Sequence, residues 1–213
     1  MTLLLIFQFL AVTAAIFCLA AFAVRLRNFS RLARPGDRST PRGSVNAGVN
    51  YALTLGMMPW AKESTRRHGL AYMRGVGFHL TVFVSLGVFL ISPWLGHVPA
   101  IIRFGLAALI GIGAVLAFLG FLSRFIEKSL KVLSTPDDYF AILLVSLFLA
   151  ACALALVNLA ILPLFYLVSV LLLAYIPLGK IRHCIYFVFS RLFFGRFFGR
   201  RGVYPHSQQE LTA

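Results

Sequence analysis

Apolar and polar positions alternate along this chain in long blocks rather than in short periods. Five apolar runs stand out, at about residues 3–25, 70–95, 100–123, 138–158 and 161–187. Each is near the ~20 residues that a helix needs to cross the hydrocarbon of a bilayer. In that environment every backbone amide must be satisfied within its own segment, so the runs are read as helices. The expected fold is an all-α membrane protein, a five-helix transmembrane bundle whose last span continues as an interfacial helix. Between the first two runs, residues 26–67 form a loop, in which the Arg, Ser, Pro and Gly content of Arg25 to Asn50 marks that stretch as surface. Within that loop "YALTLGMMPW" reads as a short interfacial or buried helix. Residues 188–213 form a tail. No repeat of 20–50 residues and no low-complexity tract appears, so residues 1–213 are taken as one domain.

Charge gives these spans a direction. Of the twenty Lys and Arg residues, ten lie in or beside the first connection: Arg25, Arg27, Arg31, Arg34, Arg38, Arg42, Lys62, Arg66, Arg67 and Arg74. Arg124, Lys128 and Lys131 follow the third span, and Lys180, Arg182, Arg191, Arg196, Arg200 and Arg201 follow the fifth. In a five-span chain these places share one side, and only Arg103 is left for the other. The positive-inside rule then puts the N-terminus outside and the C-terminus in the cytoplasm. The first span has its basic residues after it rather than before, the reverse of a cleaved signal peptide, and is expected to stay.

Composition agrees with the pattern. The chain is 60% hydrophobic and 12% charged, with a mean hydropathy of +0.89, where soluble domains carry roughly 25% charged residues. The net charge of +14 follows from the topology rule and from attraction to anionic headgroups. No basic module with stacking aromatics points to nucleic acid.

Candidate chemistry is sparse. Cys18, Cys152 and Cys184 are each isolated, and none forms a zinc pattern or a covalent haem attachment motif. The six acids, Asp37, Glu63, Glu127, Asp137, Asp138 and Glu210, all fall in connections or the tail. No nucleophile–base pair or phosphate loop is present. His97 and His206 sit in polar surroundings and are read as solvated.

Three histidines remain. His79, in "GFHLTVFVSLG", lies on the inner half of the second span, and ionisable groups inside a span are functional by default. A hydrogen bond to a neighbouring helix is the competing role. His183, in "PLGKIRHCIYF", lies near the inner end of the fifth span, where it either marks the end of the bilayer or acts as a ligand. The second and fifth spans run in opposite directions, so both imidazoles are expected at similar depths in the inner leaflet. Facing imidazoles on two helices of a bundle are the ligand set of a six-coordinate haem b. Gly75, Gly77 and Gly179 leave room for a flat macrocycle, and Arg74, Lys180 and Arg182 are suited to its propionates. His68 is the rival ligand: it lies eleven residues before His79, about 16 Å along a helix and close to three whole turns. A second haem at His68 needs a partner beyond His183, which leaves only His206; otherwise His68 is an interfacial contact.

These segments resemble the membrane cytochrome b subunits of respiratory nitrate reductase (its gamma subunit), heterodisulfide reductase and dissimilatory sulfur complexes. "GFHLTVFVSLG" is similar to the family's second-helix segment, "PLGKIRH" to its fifth-helix motif, "STPDDYFAILL" to the cap of its fourth helix and "VPAIIRFGLAALIG" to the start of its third. The resemblance implies that Arg103 faces a quinone; a snorkelling interfacial arginine is the alternative. It also implies that the family's outer haem ligands correspond to Phe89 and Phe165, so that one haem b is expected, with two if His68 ligates. The two phenyl rings would then line a quinone held in the outer space. The implied function is electron transfer between the quinone/quinol pool and a cytoplasmic iron–sulfur or flavin partner. The chain would then be one subunit of a larger complex in a bacterial or archaeal cytoplasmic membrane, with the partner docked on residues 25–67, 124–131 and 191–201. The alternatives are a haem-free membrane anchor or assembly subunit, and a small transporter. No midplane charge and no pair of broken, repeated spans supports the transporter.

Overall fold

The computed structural model describes residues 2–32, 37–61 and 67–204. Arg34, Lys62, Glu63, Arg66, His206 and Glu210, named above, lie outside them. The described chain is helical throughout, with no strand among the described residues. Its α-helices are α1 (Thr2–Ser30), α2 (Val45–Leu53), α3 (Gly69–Ile91), α4 (Ala100–Ile126), α5 (Lys128–Leu133), α6 (Pro136–Val157), α7 (Leu162–Tyr175) and α8 (His183–Arg200). Four helical segments, at Leu3–Ser30, Gly69–His97, Ala100–Ile126 and Pro136–Val157, are long and apolar enough to cross a membrane. Large apolar side chains project outward along them, as at Phe9, Leu19, Phe83, Leu90 and Ile101, which is the surface a lipid environment stabilises.

The fifth expected span, 161–187, is not one continuous helix. α7 ends at Tyr175 after 14 residues, about 21 Å at 1.5 Å per residue and short of the ~30 Å hydrocarbon core. The cause is Pro177, which has no amide hydrogen to continue the ladder and constrains the residue before it. The amides of Leu178 and Gly179 both turn back to the Tyr175 carbonyl, at 2.9 and 2.8 Å. A single turn at Lys180–Arg182 follows, and α8 begins at His183. Counting α7 and α8 as one broken span brings the total to five.

The chain forms two compact units, residues 1–23 with 73–182 and residues 24–72 with 183–213. In the first, α6 is the central helix, packed against α4 and α7. Leu144, Phe148, Leu149, Cys152 and Leu156 of α6 are buried with Ile110 of α4 and Phe165 and Leu172 of α7. α4 turns a stripe of small residues inward, Ala107, Gly113, Ala117 and Gly120. Gly113 is required by α3: a Cβ there would overlap the Thr81 side chain. α6 opens with a capping box, in which the Asp138 carboxylate accepts the Thr135 amide at 2.8 Å and the Thr135 hydroxyl at 3.0 Å.

The second unit is built on α2 and α8. α2 starts at Val45, within the stretch expected to be loop, because the Ser44 side chain caps it by accepting the Ala47 amide at 3.3 Å. α2 and α8 meet backbone to backbone through glycines. A Cβ on Gly195 would stand 2.6 Å from the Val49 Cα, and one on Gly199 would stand 2.7 Å from the Ser44 carbonyl oxygen. Gly195 and Gly199 form the G-x-x-x-G spacing that lets helices approach this closely. Gly202, at φ +73°, ends α8 in the left-handed conformation that glycine adopts freely. The segment before α2 is tied to the same helix end. Arg200 donates from Nε and Nη2 to the Ser39 carbonyl at 3.0 and 2.7 Å, and Arg201 pairs with Asp37 at 2.7 Å. The Arg201 guanidinium, with the Ser39 amide, holds the Asp37 carboxyl well below the usual carboxylate range.

A side chain at Gly48 would collide with the Gly195 carbonyl and the Gly199 Cα. Gly48→Leu is therefore expected to cost about 3 kcal/mol of stability, the upper end for overpacking a rigid contact. Gly111→Ala, where a Cβ meets nothing, should instead gain about 1 kcal/mol from helix propensity. Thermal unfolding of the purified protein in detergent checks both; equal melting temperatures for the two variants would contradict the close α2–α8 contact.

Candidate functional site

His79 is the eleventh of the 23 residues of α3, in the middle of an apolar helix, and its side chain is exposed. Its Nδ1 lies 2.7 Å from the Gly75 carbonyl oxygen, one turn earlier. A carbonyl only accepts, so Nδ1 carries the hydrogen and the lone pair of the neutral ring is on Nε2. Phe78 fixes the ring from the side in an edge contact, with centroids 5.0 Å apart. An imidazole oriented by a bond from one nitrogen to a backbone carbonyl, with the other nitrogen turned outward, is the arrangement that a metal-ligating histidine uses.

Gly75 has open space where a Cβ would be, and a Cβ at Gly77 would stand 3.2 Å from a Leu116 methyl. Gly75 thus leaves a bare strip of backbone one turn from His79, while Gly77 serves the α3–α4 contact. Gly179 has another task, because the Tyr175 ring occupies the place where its Cβ would stand.

The three cations expected around a macrocycle all have partners in the protein. Arg74 donates from Nη1 to the Ser123 hydroxyl on α4 at 3.0 Å. Lys180 pairs with Asp138 at 2.5 Å, pinning the turn after α7 to the start of α6. Arg182 donates to the Leu178 carbonyl at 3.3 Å. Tyr175 completes this lock through its hydroxyl on the Asp137 carboxylate.

His183 is the first residue of α8 and is exposed. It belongs to the second unit and His79 to the first. His68 immediately precedes α3, exposed, and its carbonyl accepts the Tyr72 amide at 3.0 Å. Its side chain therefore stands at a helix entrance. No cluster of three or more metal-binding side chains occurs among the described residues; two histidines, the number a haem needs, fall below that size.

Arg103 and the two phenylalanines lie in the first unit. Arg103 is half-buried at the start of α4, with Nη1 3.4 Å from the Leu156 carbonyl. Its Nε is buried with no acceptor among the described residues. Phe89 and Phe165 touch edge to face, with centroids 6.3 Å apart. Phe165 is completely buried and also packs on Phe148 at 5.5 Å. Beside them runs a polar chain that the apolar pattern did not reveal. Gln8 donates to the Tyr166 hydroxyl at 3.2 Å, Tyr166 donates to Ser92 at 2.8 Å, and Ser92 donates to the Phe89 carbonyl at 2.6 Å. Gln8 in "LLLIFQFLAV" and Tyr166 in "LPLFYLVSV" are its traces in the sequence.

No protein-family model, curated protein or solved structure matches this chain.

The bond to Gly75 makes a direct prediction about His79. In protein purified without haem and labelled with 15N at histidine, the His79 ring nitrogens should report a hydrogen on Nδ1 and a lone pair on Nε2. The opposite tautomer would remove the ligand geometry described above.

Proposed function

We propose that this chain is a haem b-binding membrane subunit, with His79 and His183 as the two axial ligands. It would carry electrons between a membrane quinone and a cytoplasmic iron–sulfur or flavin partner, as the resemblance to nitrate reductase gamma subunits implies. The observation that carries this reading is His79: mid-helix, exposed, tied through Nδ1 to Gly75 and presenting Nε2 outward. An unpartnered imidazole nitrogen on the face of a spanning helix is costly unless something binds it. On the α3 side the residues suit a flat iron porphyrin, since Gly75 adds no side chain next to the ligand. A haem with both axial positions taken supplies one-electron transfer and leaves no position for oxygen. The protein's part is to hold the two imidazoles and fix their tautomers.

Arg103 is the quinone-facing residue in this reading. Its buried Nε is a donor without an acceptor among the described residues, and a quinone carbonyl is an acceptor without a donor. The packed pair Phe89 and Phe165 closes the space that the resemblance gives to an outer haem, in keeping with a single haem. The N-terminus outside and the C-terminus in the cytoplasm complete the assignment, with nearly all the basic residues on the partner's side.

Pyridine haemochrome analysis should return about one non-covalent haem b per chain. His79→Ala and His183→Ala should each lose haem or give a high-spin spectrum. Unchanged low-spin haem in either variant would exclude that residue as ligand, two haems per chain would bring in His68, and a haem-free chain would leave the anchor or assembly role.

Arg103→Gln keeps a polar side chain but removes Nε and the charge. Quinol-driven reduction of the haem should slow at least tenfold, while the haem content and its spectrum stay those of the wild type. An unchanged rate would leave Arg103 as a snorkelling residue.

A further inference from the structure

α3 and α4 run antiparallel, so the start of one lies beside the end of the other. Gly113 meets Thr81, Gly77 meets Leu116, and Arg74 reaches Ser123. At this end two arginines come to neighbouring positions. Arg74 donates to the Ser123 hydroxyl at 3.0 Å, and that hydroxyl is itself engaged with the Leu119 carbonyl at 2.8 Å. Arg124, the next residue, is half-buried. Its Nη1 is fixed on the Gly120 carbonyl at 2.8 Å, and its Nε is buried without an acceptor among the described residues. Tyr139 of α6 holds the backbone in place by donating to the Arg124 carbonyl at 3.0 Å, with its ring 4.8 Å from that of Phe125.

Neither guanidinium forms an ion pair among the described residues. The ion pairs among the described residues are Lys180–Asp138, Arg200–Asp37 and Arg201–Asp37. Of the acids at this end, Glu127 closes α4 three residues after Arg124 and forms no ion pair among the described residues, and Asp137 is engaged by the Tyr175 hydroxyl. Positive charge that is half removed from water needs an anion close by. The surroundings say which kind. Lys128 and Lys131 follow on α5, interleaved with apolar side chains that stand out from the protein: Ile126 is 77% exposed, Val132 85% and Leu133 76%. Cations mixed with protruding aliphatics, at the ends of two bilayer-length helices, match the boundary between headgroups and acyl chains. A soluble acidic partner would satisfy the charges and leave the aliphatics in water.

We infer that Arg124 and Arg74 form a binding site for the phosphate of an anionic phospholipid headgroup, with Lys128 and Lys131 at its rim. A guanidinium suits this task because its planar donors match a phosphate's oxygens. The site shares Arg74 with the set expected around a macrocycle, but none of its supporting observations requires a haem.

The test uses the full chain purified in a neutral detergent and exposed to phosphatidylglycerol, to phosphatidylcholine or to inorganic phosphate. Bound lipid is counted by native mass spectrometry and stability is followed by thermal unfolding. Phosphatidylglycerol should bind at about one per chain and raise the melting temperature, while the other two do neither. Arg124→Gln and Arg74→Gln should each weaken phosphatidylglycerol binding about fivefold, the equivalent of one basic contact. Arg191→Gln, which removes the same charge from a residue stacked on Phe187 in the other unit, should leave binding unchanged. If Arg124→Gln does not fold, Arg74→Gln decides alone. Wild-type affinity in the arginine variants overturns the site. An equal response to phosphatidylcholine overturns its charge selectivity, and an equal response to inorganic phosphate makes it a free-anion site instead.

Discussion

The constraint on which the structure depends is that polar groups on apolar helices must find partners without water, and most find them in their own backbone. Thr13, Ser85, Ser123, Ser146 and Ser169 each donate to the carbonyl four residues earlier, and Thr81 and Ser92 to the one three residues earlier. Satisfied this way, a hydroxyl costs little in hydrocarbon and leaves the helix surface free to pack. His79 obeys the same rule through Nδ1 and Gly75. It differs in having a second nitrogen, which the rule leaves over. Among the described residues Arg103 and Arg124 are two further departures, each with one nitrogen on a helix carbonyl and a buried Nε that finds no partner there. Each of these three positions is among those to which a ligand is assigned above.

Close approach between helices rests on the absence of side chains. Gly113 admits Thr81 in the first unit, and Gly48, Gly195 and Gly199 bring α2 and α8 together in the second. Such contacts gain by dispersion and shape where the hydrophobic effect between lipid-bathed helices is weak. The polar ties are few and lie at helix ends: Thr135 with Asp138, Lys180 with Asp138, and Arg201 with Asp37. The Gln8–Tyr166–Ser92 chain is the exception, a side-chain network joining α1 and α7 to the turn that follows α3 inside the first unit.

Much of the fold was legible because an apolar run of bilayer length has few alternatives. The second, third and fourth spans fall within a few residues of α3, α4 and α6. The errors have definite physical causes. The start of α2 is hidden because the Arg, Ser, Pro and Gly content of its surroundings reads as loop, although Ser44 and the glycine spacing are themselves signals of a capped, closely packed helix. The run at 161–187 looks unbroken when its apolar length outweighs Pro177, which stands there only as part of the "PLGKIRH" motif, and when Gly179 is taken as space for a cofactor. Contacts distant in sequence left no trace: nothing near Lys180 announces Asp138, and nothing near Tyr175 announces Asp137. Arg124 looked like one more charge of the positive-inside set, and only its geometry sets it apart. His79 was legible as an intramembrane histidine, but its tautomer required the Gly75 carbonyl.

The central claim, that His79 and His183 hold one iron porphyrin between them, is open to a single spectroscopic measurement. Electron paramagnetic resonance of the full chain, purified in detergent and fully oxidised, reports the axial ligands of ferric haem directly. The account predicts one low-spin signal of the bis-histidine type. A purely high-spin signal, or no ferric haem signal at all, would contradict it.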